Sequence, residues 1–578
     1  MKRWLTLSFL FFGSIAIAGP TEDFHALVDE VWDWEVQQSP ERATYLGVDG
    51  LNDRWTDQSL SAHISRYTQE GEFLDSLIAL ERAALTPDDQ LSYAMLQRRL
   101  EESRKSYELG LYLMSYNMRS GPQSRHGTAN YAPFNNESDF RDWLSRMRAV
   151  PELLSQHMEL MEEGISRDLV PARVVLQRVP AQLDKVITQD PQESPWYKPF
   201  KSMPPSIDAA VARQIQSEAK SIIANEVTPA FEEFRDFFVS SYLPATREKP
   251  GIGSLPGGEE IYRFLASSFT TTPLTPEEIH ETGKREVARI LVEMEKVKAS
   301  VGFKGDLNAF NEFLRTDPQF YYESSEALLE GYQAISKRLD PELVNLFGKL
   351  PRMPYGVKPI PMETAPDTTT AYYSGPAANG TRAGFYWVNL YRPEVRPKYE
   401  MEVLSVHEAV PGHHLQIALA QELEGVPEFR KHSGVTAFIE GWGLYSERLG
   451  YQMGLYTDPY SQYGQLTYDM WRAVRLVVDT GIHYFDWSRQ EAIDYFLANA
   501  GKSETDIINE IDRYIGNPGQ ALAYKIGQLK MLELRAQAEQ TLGDDFDIRS
   551  FHDEMLGAGA IPLDALESRM NRWVAAQK

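Results

Sequence analysis

The chain has no cysteine among its 578 residues. That excludes disulfide staples, thiolate metal ligands and thiol nucleophiles, and it leaves stability to an ordinary apolar core. Positive charge is also short: 58 lysines and arginines face 83 aspartates and glutamates, for a net charge of −25. Nucleic acid is therefore a poor partner, and so is an anionic membrane surface. Beyond the first residues no apolar run reaches the ~20 positions that a membrane helix needs. Histidine is scarce too. Of 11 in all, three fall between positions 407 and 414.

The amino end reads as an export signal. Lys2 and Arg3 precede an apolar run from Trp4 to Ile17, and Ala16-Ile17-Ala18 is a small-residue cleavage site before Gly19. The expectation is a signal peptide over residues 1–18 and an exported product, periplasmic or secreted, with no integral span after cleavage. With 42% hydrophobic residues, the mature chain can bury one or two large cores.

Residues 19–578 read as one mainly α-helical domain. Phe24, Leu27, Val28 and Val31 follow the 3/4 spacing of an amphipathic helix. Thr86-Pro87-Asp88-Asp89 has the form of a helix start, with Thr as cap, Pro first and acids in the first turn. Thr275 and Glu278 are spaced as a capping box. Long helical patterns cover 139–164 and 207–242, while the Pro/Gly-dense stretch 247–258 marks a loop and a lobe boundary. This divides the domain into an N-terminal helical lobe, 19–250, and a catalytic lobe, 251–578. His25, His63, His126 and His157 stand alone and read as structural. Gly384 to Tyr391, GFYWVNLY, is the best strand candidate. It is expected as an edge strand that pairs with an extended substrate backbone, with Asn389 as a substrate contact.

The chemistry concentrates in His407 to Gln416, HEAVPGHHLQ. A His-Glu-x-x-His zinc motif places two imidazoles one helical turn apart, with the glutamate poised to act on water. Here position 411 is Pro, and the next histidines come at i+6 and i+7. On a regular helix neither shares one ion with His407: i+6 points away, and i+7 lies roughly 10 Å along the axis at ~1.5 Å per residue. Pro411 disfavours helix at Val410, and Gly412 accepts torsions that other residues avoid. A bulge of two extra residues would swing His413 back beside His407.

A third ligand is expected downstream. Glu440 lies 27 positions after His413 in AFIEGWGLYSERLG, amid apolar residues. A carboxylate there needs a partner, either a cation or an arginine. Glu447 falls on about the same helix face and is a candidate to orient a ligand histidine.

Several segments in one order carry a resemblance: HEAVPGHHLQ, FIEGWGLYSERLG, RAVRLVVDTGIHY (472–484) and PGQALAYKIG (518–527). Upstream, LPGGEEIYRFLASSFTTTPLTPEEIH (255–280) and YYSGPAANGTRAGFYWVNL (372–390) extend it, and FDIRSFHDEMLGAGAIPLDAL (546–566) extends it downstream. Together they resemble the bacterial domain-of-unknown-function 885 family. That family is similar to helical zinc metallopeptidases of the neurolysin and carboxypeptidase Taq type. The resemblance implies two helical lobes around a deep cleft, with a small β-sheet beside the metal helix. It implies one Zn²⁺ per chain on His407, His413 and Glu440, since the histidine directly after Pro-Gly is the recurring one, with His414 beside the site. Glu408 is then the general base and acid.

Arg475, Asp479 and His483 recur every four residues, on one helix face. Asp479 is placed to orient His483, His483 to donate to an oxyanion, and Arg475 to bind a substrate carboxylate. Tyr524 is a second oxyanion donor, and Lys525 or Arg535 an alternative anchor for a carboxylate. The sequence thus points to an exported zinc peptidase of short peptides, an oligopeptidase or carboxypeptidase. The alternatives are a hydrolase of cell-wall amides and a peptide-binding protein without turnover. Mn²⁺, Co²⁺ and Ni²⁺ suit the same ligands. Oligomeric state is not encoded in any motif.

Overall fold

In the computed structural model, residues 19–362, 365–377 and 379–578 are described. The expected export signal at 1–18 lies outside them. Helices carry most of the described chain, and their ends follow local chemistry. The first, α1, is Pro20–Gln38, burying Phe24, Val28 and Val31. Helix α2, Pro87–Glu108, starts where Thr86 accepts a hydrogen bond from the Asp89 amide. Helix α3, Pro276–Ser300, starts with the reciprocal capping box of Thr275 and Glu278. The helical pattern over 139–164 is two helices, Glu137–Arg148 and Val150–Ser166, with Pro151 in the first turn of the second. A proline lacks the amide that a continuous helix would use there.

The strands form a small open sheet. Strand β1, Tyr355–Pro359, runs parallel to β3, Gly384–Val388, and β2, Ala371–Ser374, runs antiparallel to it. The order is β1-β3-β2. The strand expected at 384–391 forms, but it is the central strand and not an edge. Both rows of its backbone groups are already paired, so a substrate backbone cannot add to it. Its alternate residues Tyr386 and Val388 are fully buried, which suits a central position. The free edges belong to β1 and β2.

The second half supplies the remaining helices. These are α4, Met401–Glu408; α5, His413–Gln421; α6, Thr436–Leu449; α7, Pro459–His483; α8, Glu504–Gly516; and α9, Leu522–Leu542. Strand β2 packs on α4, and β3 on α5. Two large cores hold the molecule together. One joins Phe24, Val28 and Leu96 to Val403, Val406, Phe438 and Trp442. The other joins Trp143, Trp196 and Phe231 to Ile290, Met470, Val474 and Val478. Each core draws on both sides of position 250.

The loop 247–258, rich in Pro and Gly, packs on the end of α7. A Cβ on Gly251 would overlap the Ile482 carbonyl, and the Ile252 amide donates to His483 Nδ1 at 3.1 Å. Among the described residues, no helix is long and apolar enough to cross a membrane.

Candidate metal centre

Helix α4 stops at Glu408 because the next residue leaves helical torsions, with Ala409 at φ −99°, ψ −109°. The Val410–Pro411 peptide is cis. Gly412 (φ −73°, ψ −128°) then caps α5. Two backbone bonds close the break: the Gly412 amide donates to Val406 O, and the His414 amide to Ala409 O, both at 3.0 Å. A Cβ at 412 would overlap the carbonyls of Val406 and His407, so this close approach requires glycine. The bulge brings His413 beside His407, with ring centroids 4.7 Å apart and planes at 84°.

Helix α6 brings Glu440 to the pair. Its Oε2 lies 3.7 Å from His407 Nε2 and 3.4 Å from His413 Nε2. The three ligand atoms fall within 4.8 Å of one another. A tetrahedral ion with bonds of about 2.0–2.2 Å sets its donors about 3.4 Å apart. Two imidazole nitrogens and one carboxylate oxygen at these separations fit a single divalent cation. Glycines make the approach possible. A Cβ on Gly443 would sit 2.8 Å from His407 Cε1 and 3.0 Å from its Nε2, and a Cβ on Gly441 would meet Gly527 Cα of α9 at 2.6 Å.

The ligand histidine is held from behind. His407 Nδ1 bonds Glu447 Oε1 at 2.9 Å, which leaves Nε2 for an ion. Glu447 is fully buried, with Arg472 Nη2 3.6 Å from the same oxygen, and its backbone carbonyl accepts from the Tyr456 hydroxyl at 2.8 Å. Burial works against protonation of His407, but Glu440 and Glu447 outweigh it and raise the pKa to about 9. Burial likewise disfavours a charged Glu440, yet the two imidazoles hold it well below the usual carboxylate range. An ion at Nε2 would need the deprotonated ring, so it would compete with a proton there. Glu408 ends α4, mostly buried, and its charge reaches His407 and Tyr386 of β3.

His414 points elsewhere. Its Nδ1 pairs with the Tyr373 hydroxyl at 2.8 Å and its Nε2 with the Met353 carbonyl at 3.0 Å, and burial lowers its pKa to about 4. Asn389 pins the loop before β2, donating to the carbonyls of Ala365, Thr368 and Thr369. Lys525 sits in a buried network with Asp469 (2.5 Å) and Glu286 (3.0 Å). Arg535 pairs with Glu539 at 2.8 Å.

The three α7 residues do not act as one face. Asp479 accepts from the Tyr262 hydroxyl (2.6 Å) and the Gly519 amide (3.0 Å), not from His483. Burial pushes its pKa up to about 7, against the pull of those two donors. His483 lies between backbone groups, the Ile252 amide and the Tyr514 carbonyl at 3.1 and 3.0 Å, and burial lowers its pKa to about 3. Arg475 bonds Tyr514 and Glu510 of α8, its Nε donating to the Tyr514 hydroxyl at 2.8 Å and its Nη2 to Glu510 Oε2 at 3.1 Å. Its guanidinium carbon lies 4.4 Å from the ring centre of Tyr524. Burial raises the Tyr524 pKa, and the nearby Glu440 charge raises it further. Sequence reasoning missed Gly443 and Gly441, although two glycines flanking Trp442 beside a candidate ligand are a signal of close helix approach. It also missed Arg472, which backs Glu447.

The chain belongs to the DUF885 family, described as a bacterial protein of unknown function, whose model matches residues 40–570. It is similar to a candidate lipoprotein from Colwellia psychrerythraea: TM-score 0.91, 27% identity, covering 96% of this chain and 99% of that one. A candidate lipoprotein of unknown function from Shewanella oneidensis shares the fold at TM-score 0.70 and 18% identity, over 96% of this chain and 100% of that one. No curated protein matches the chain.

Proposed function

We propose that the protein is an exported metal-dependent hydrolase of peptide bonds, acting on short peptides. One observation carries the reading: two imidazole Nε2 atoms converge on one Glu440 oxygen at 3.4 and 3.7 Å, with the Glu408 carboxylate close enough for its charge to act on His407. His407, His413 and Glu440 would hold the ion, and Zn²⁺ suits this donor set, as do neighbouring first-row metals. A divalent cation there supplies Lewis acidity to a carbonyl oxygen and to a water molecule.

The chain's own residues then divide the work. Glu447 fixes the His407 ring so that Nε2 faces inward. Glu408 takes the proton of the attacking water and returns it to the departing amine. The Tyr524 hydroxyl, kept protonated by burial and by the Glu440 charge, donates to the developing oxyanion. His483 and Asp479 hold α7 against its neighbours. Export is supported by the charged and apolar start of the sequence and by the lipoprotein descriptions of the two similar structures.

The test is metal analysis of the purified protein, followed by mass-spectrometric product profiling on a mixed peptide library with and without chelator. Stoichiometric metal and chelator-sensitive cleavage are expected. Glu408→Gln should keep the metal and lose roughly 10²- to 10⁴-fold in rate. A metal-free protein, or full activity in Glu408→Gln, would end this reading.

A further inference from the structure

Among the described residues, five that are not glycine take a left-handed backbone: Asp168, Thr271, Arg392, Tyr456 and Asp486. Tyr456, with φ at +56°, is the most deeply buried of them, at 1% exposed. A bulky side chain disfavours that torsion, so the surroundings must hold it there.

Three hydrogen bonds do so, each to a different helix. Tyr456 lies in the loop between α6 and α7. Its amide donates to Glu402 Oε2 of α4 at 2.9 Å, its hydroxyl to the Glu447 carbonyl of α6 at 2.8 Å, and its carbonyl accepts from Gln462 Nε2 of α7 at 3.1 Å. With the ring and the carbonyl fixed, an ordinary φ would turn the amide away from Glu402. The hydroxyl also meets a need of α6. Glu447 falls in its last turn, where carbonyls have no donor within the helix. Gly450 makes room for the ring, because a Cβ there would overlap it. Glu402 is held in turn, its Oε1 lying 3.2 Å from Arg338 Nη2.

The three helices are those that carry the candidate metal site. Helix α4 ends in His407 and Glu408, α6 carries Glu440 and Glu447, and α7 carries Arg472, whose Nη2 lies 3.6 Å from Glu447 Oε1. Tyr456 grips α6 at the very residue whose carboxylate meets His407 Nδ1 at 2.9 Å. It grips α4 at Glu402, in the helix that His407 and Glu408 close. We propose that Tyr456 is a positioning residue for metal capture. It sets α4 against α6, and with them the separation of His407 from its Glu447 partner and from Glu440. The inference rests on the metal-site reading above. Tyr456 acts through Glu402 and Glu447, not on the ion itself. A loop that merely connected α6 to α7 would have no need of a strained torsion; this one persists because three helices over-determine it.

The test reads metal binding rather than turnover. Metal-free protein is titrated with Zn²⁺ against a chromogenic chelator, and separately with Co²⁺, whose visible absorption reports the geometry of its ligands. Tyr456→Phe keeps the ring and removes the hydroxyl. Its Zn²⁺ affinity should fall about tenfold, the lower end of what loss of an outer partner of a ligand costs, and its Co²⁺ spectrum should differ from wild type. Tyr463→Phe is the comparison for stability alone, since that buried hydroxyl donates to Asn311 Oδ1 at 2.6 Å. It should lower the urea midpoint as Tyr456→Phe does, yet keep wild-type affinity and spectrum. Should Tyr456→Phe fail to fold, Glu402→Ala removes the bond to α4 and should weaken Zn²⁺ binding by a similar factor. Wild-type affinity in Tyr456→Phe, or in Glu402→Ala where that takes its place, overturns the proposal and leaves the metal reading intact. So do equal losses in Tyr456→Phe and Tyr463→Phe. A wild-type chain that takes up neither ion ends both.

Discussion

Two triplets of polar residues invite comparison: His407, His413 and Glu440 on the broken helix pair and its neighbour, and Arg475, Asp479 and His483 on α7. Spacing alone favours the α7 triplet, with one residue every four positions on an unbroken helix. The structure makes the other triplet the convergent one. Its members share one carboxylate oxygen within 3.7 Å, and only His407 is held from behind, at Nδ1 by Glu447. On α7, Asp479 and His483 are bonded to backbone amides, a carbonyl and a tyrosine of their surroundings. A shared helix face does not make a shared site. What marks a site is donor capacity that the fold leaves unspent.

The contrast can be broken most forcefully at the ligands. Glu440→Gln and His413→Ala are expected to lose bound metal after dialysis, while His414→Ala keeps it, all read by elemental analysis. If His414→Ala alone empties the protein, the two adjacent histidines have been assigned the wrong way round. A subtler attack is Gly443→Ala. The added methyl would crowd His407 at 2.8 Å from Cε1, and metal affinity should weaken by about 10- to 100-fold, the scale seen when an outer partner of a ligand is lost. Competition with a chromogenic chelator measures it, and an unchanged affinity would show that α6 yields easily.

The α7 triplet should respond in stability. His483→Ala leaves the Ile252 amide and the Tyr514 carbonyl unpaired, at a cost of about 2–4 kcal/mol in urea unfolding. Metal content should not change, and a loss of metal would tie His483 to the site after all. The smallest effect concerns pH. Asp479 is raised from 3.8 to about 7 in the folded chain. A raised carboxyl favours folding in its neutral form, so its contribution is complete below about pH 4 and fades as pH rises through about 7. Melting curves of wild type and Asp479→Asn should therefore diverge across that window, with wild type losing ground as pH rises. Parallel curves would mean the carboxyl is ionised throughout.

Much of the fold is legible in the sequence because its signals are local. The caps at Thr86 and Thr275 and the apolar spacing of α1 need only a few neighbouring residues. The candidate metal ligands are legible through an anomaly, a proline and a glycine between histidines that would otherwise be misaligned. What escapes is non-local. Nothing in GFYWVNLY says that strands would flank it on both sides, because its partners lie elsewhere in the chain. The partners of His483 come from a loop some 230 residues earlier and from α8. No local signal in the Pro/Gly-rich stretch at 247–258 announces that Gly251 and Gly253 pack closely on the end of α7.

The cores that cross position 250 also fix an order of events. One core joins residues of α1 and α2 to residues of α4 and α6, while Gly441 seats against Gly527 of α9. A polypeptide emerging amino end first therefore lacks the surface against which Gly441, next to Glu440, seats until residue 527 has arrived. An ion taken by the His407, His413 and Glu440 cluster would therefore be captured late in maturation, in whichever compartment the finished chain folds.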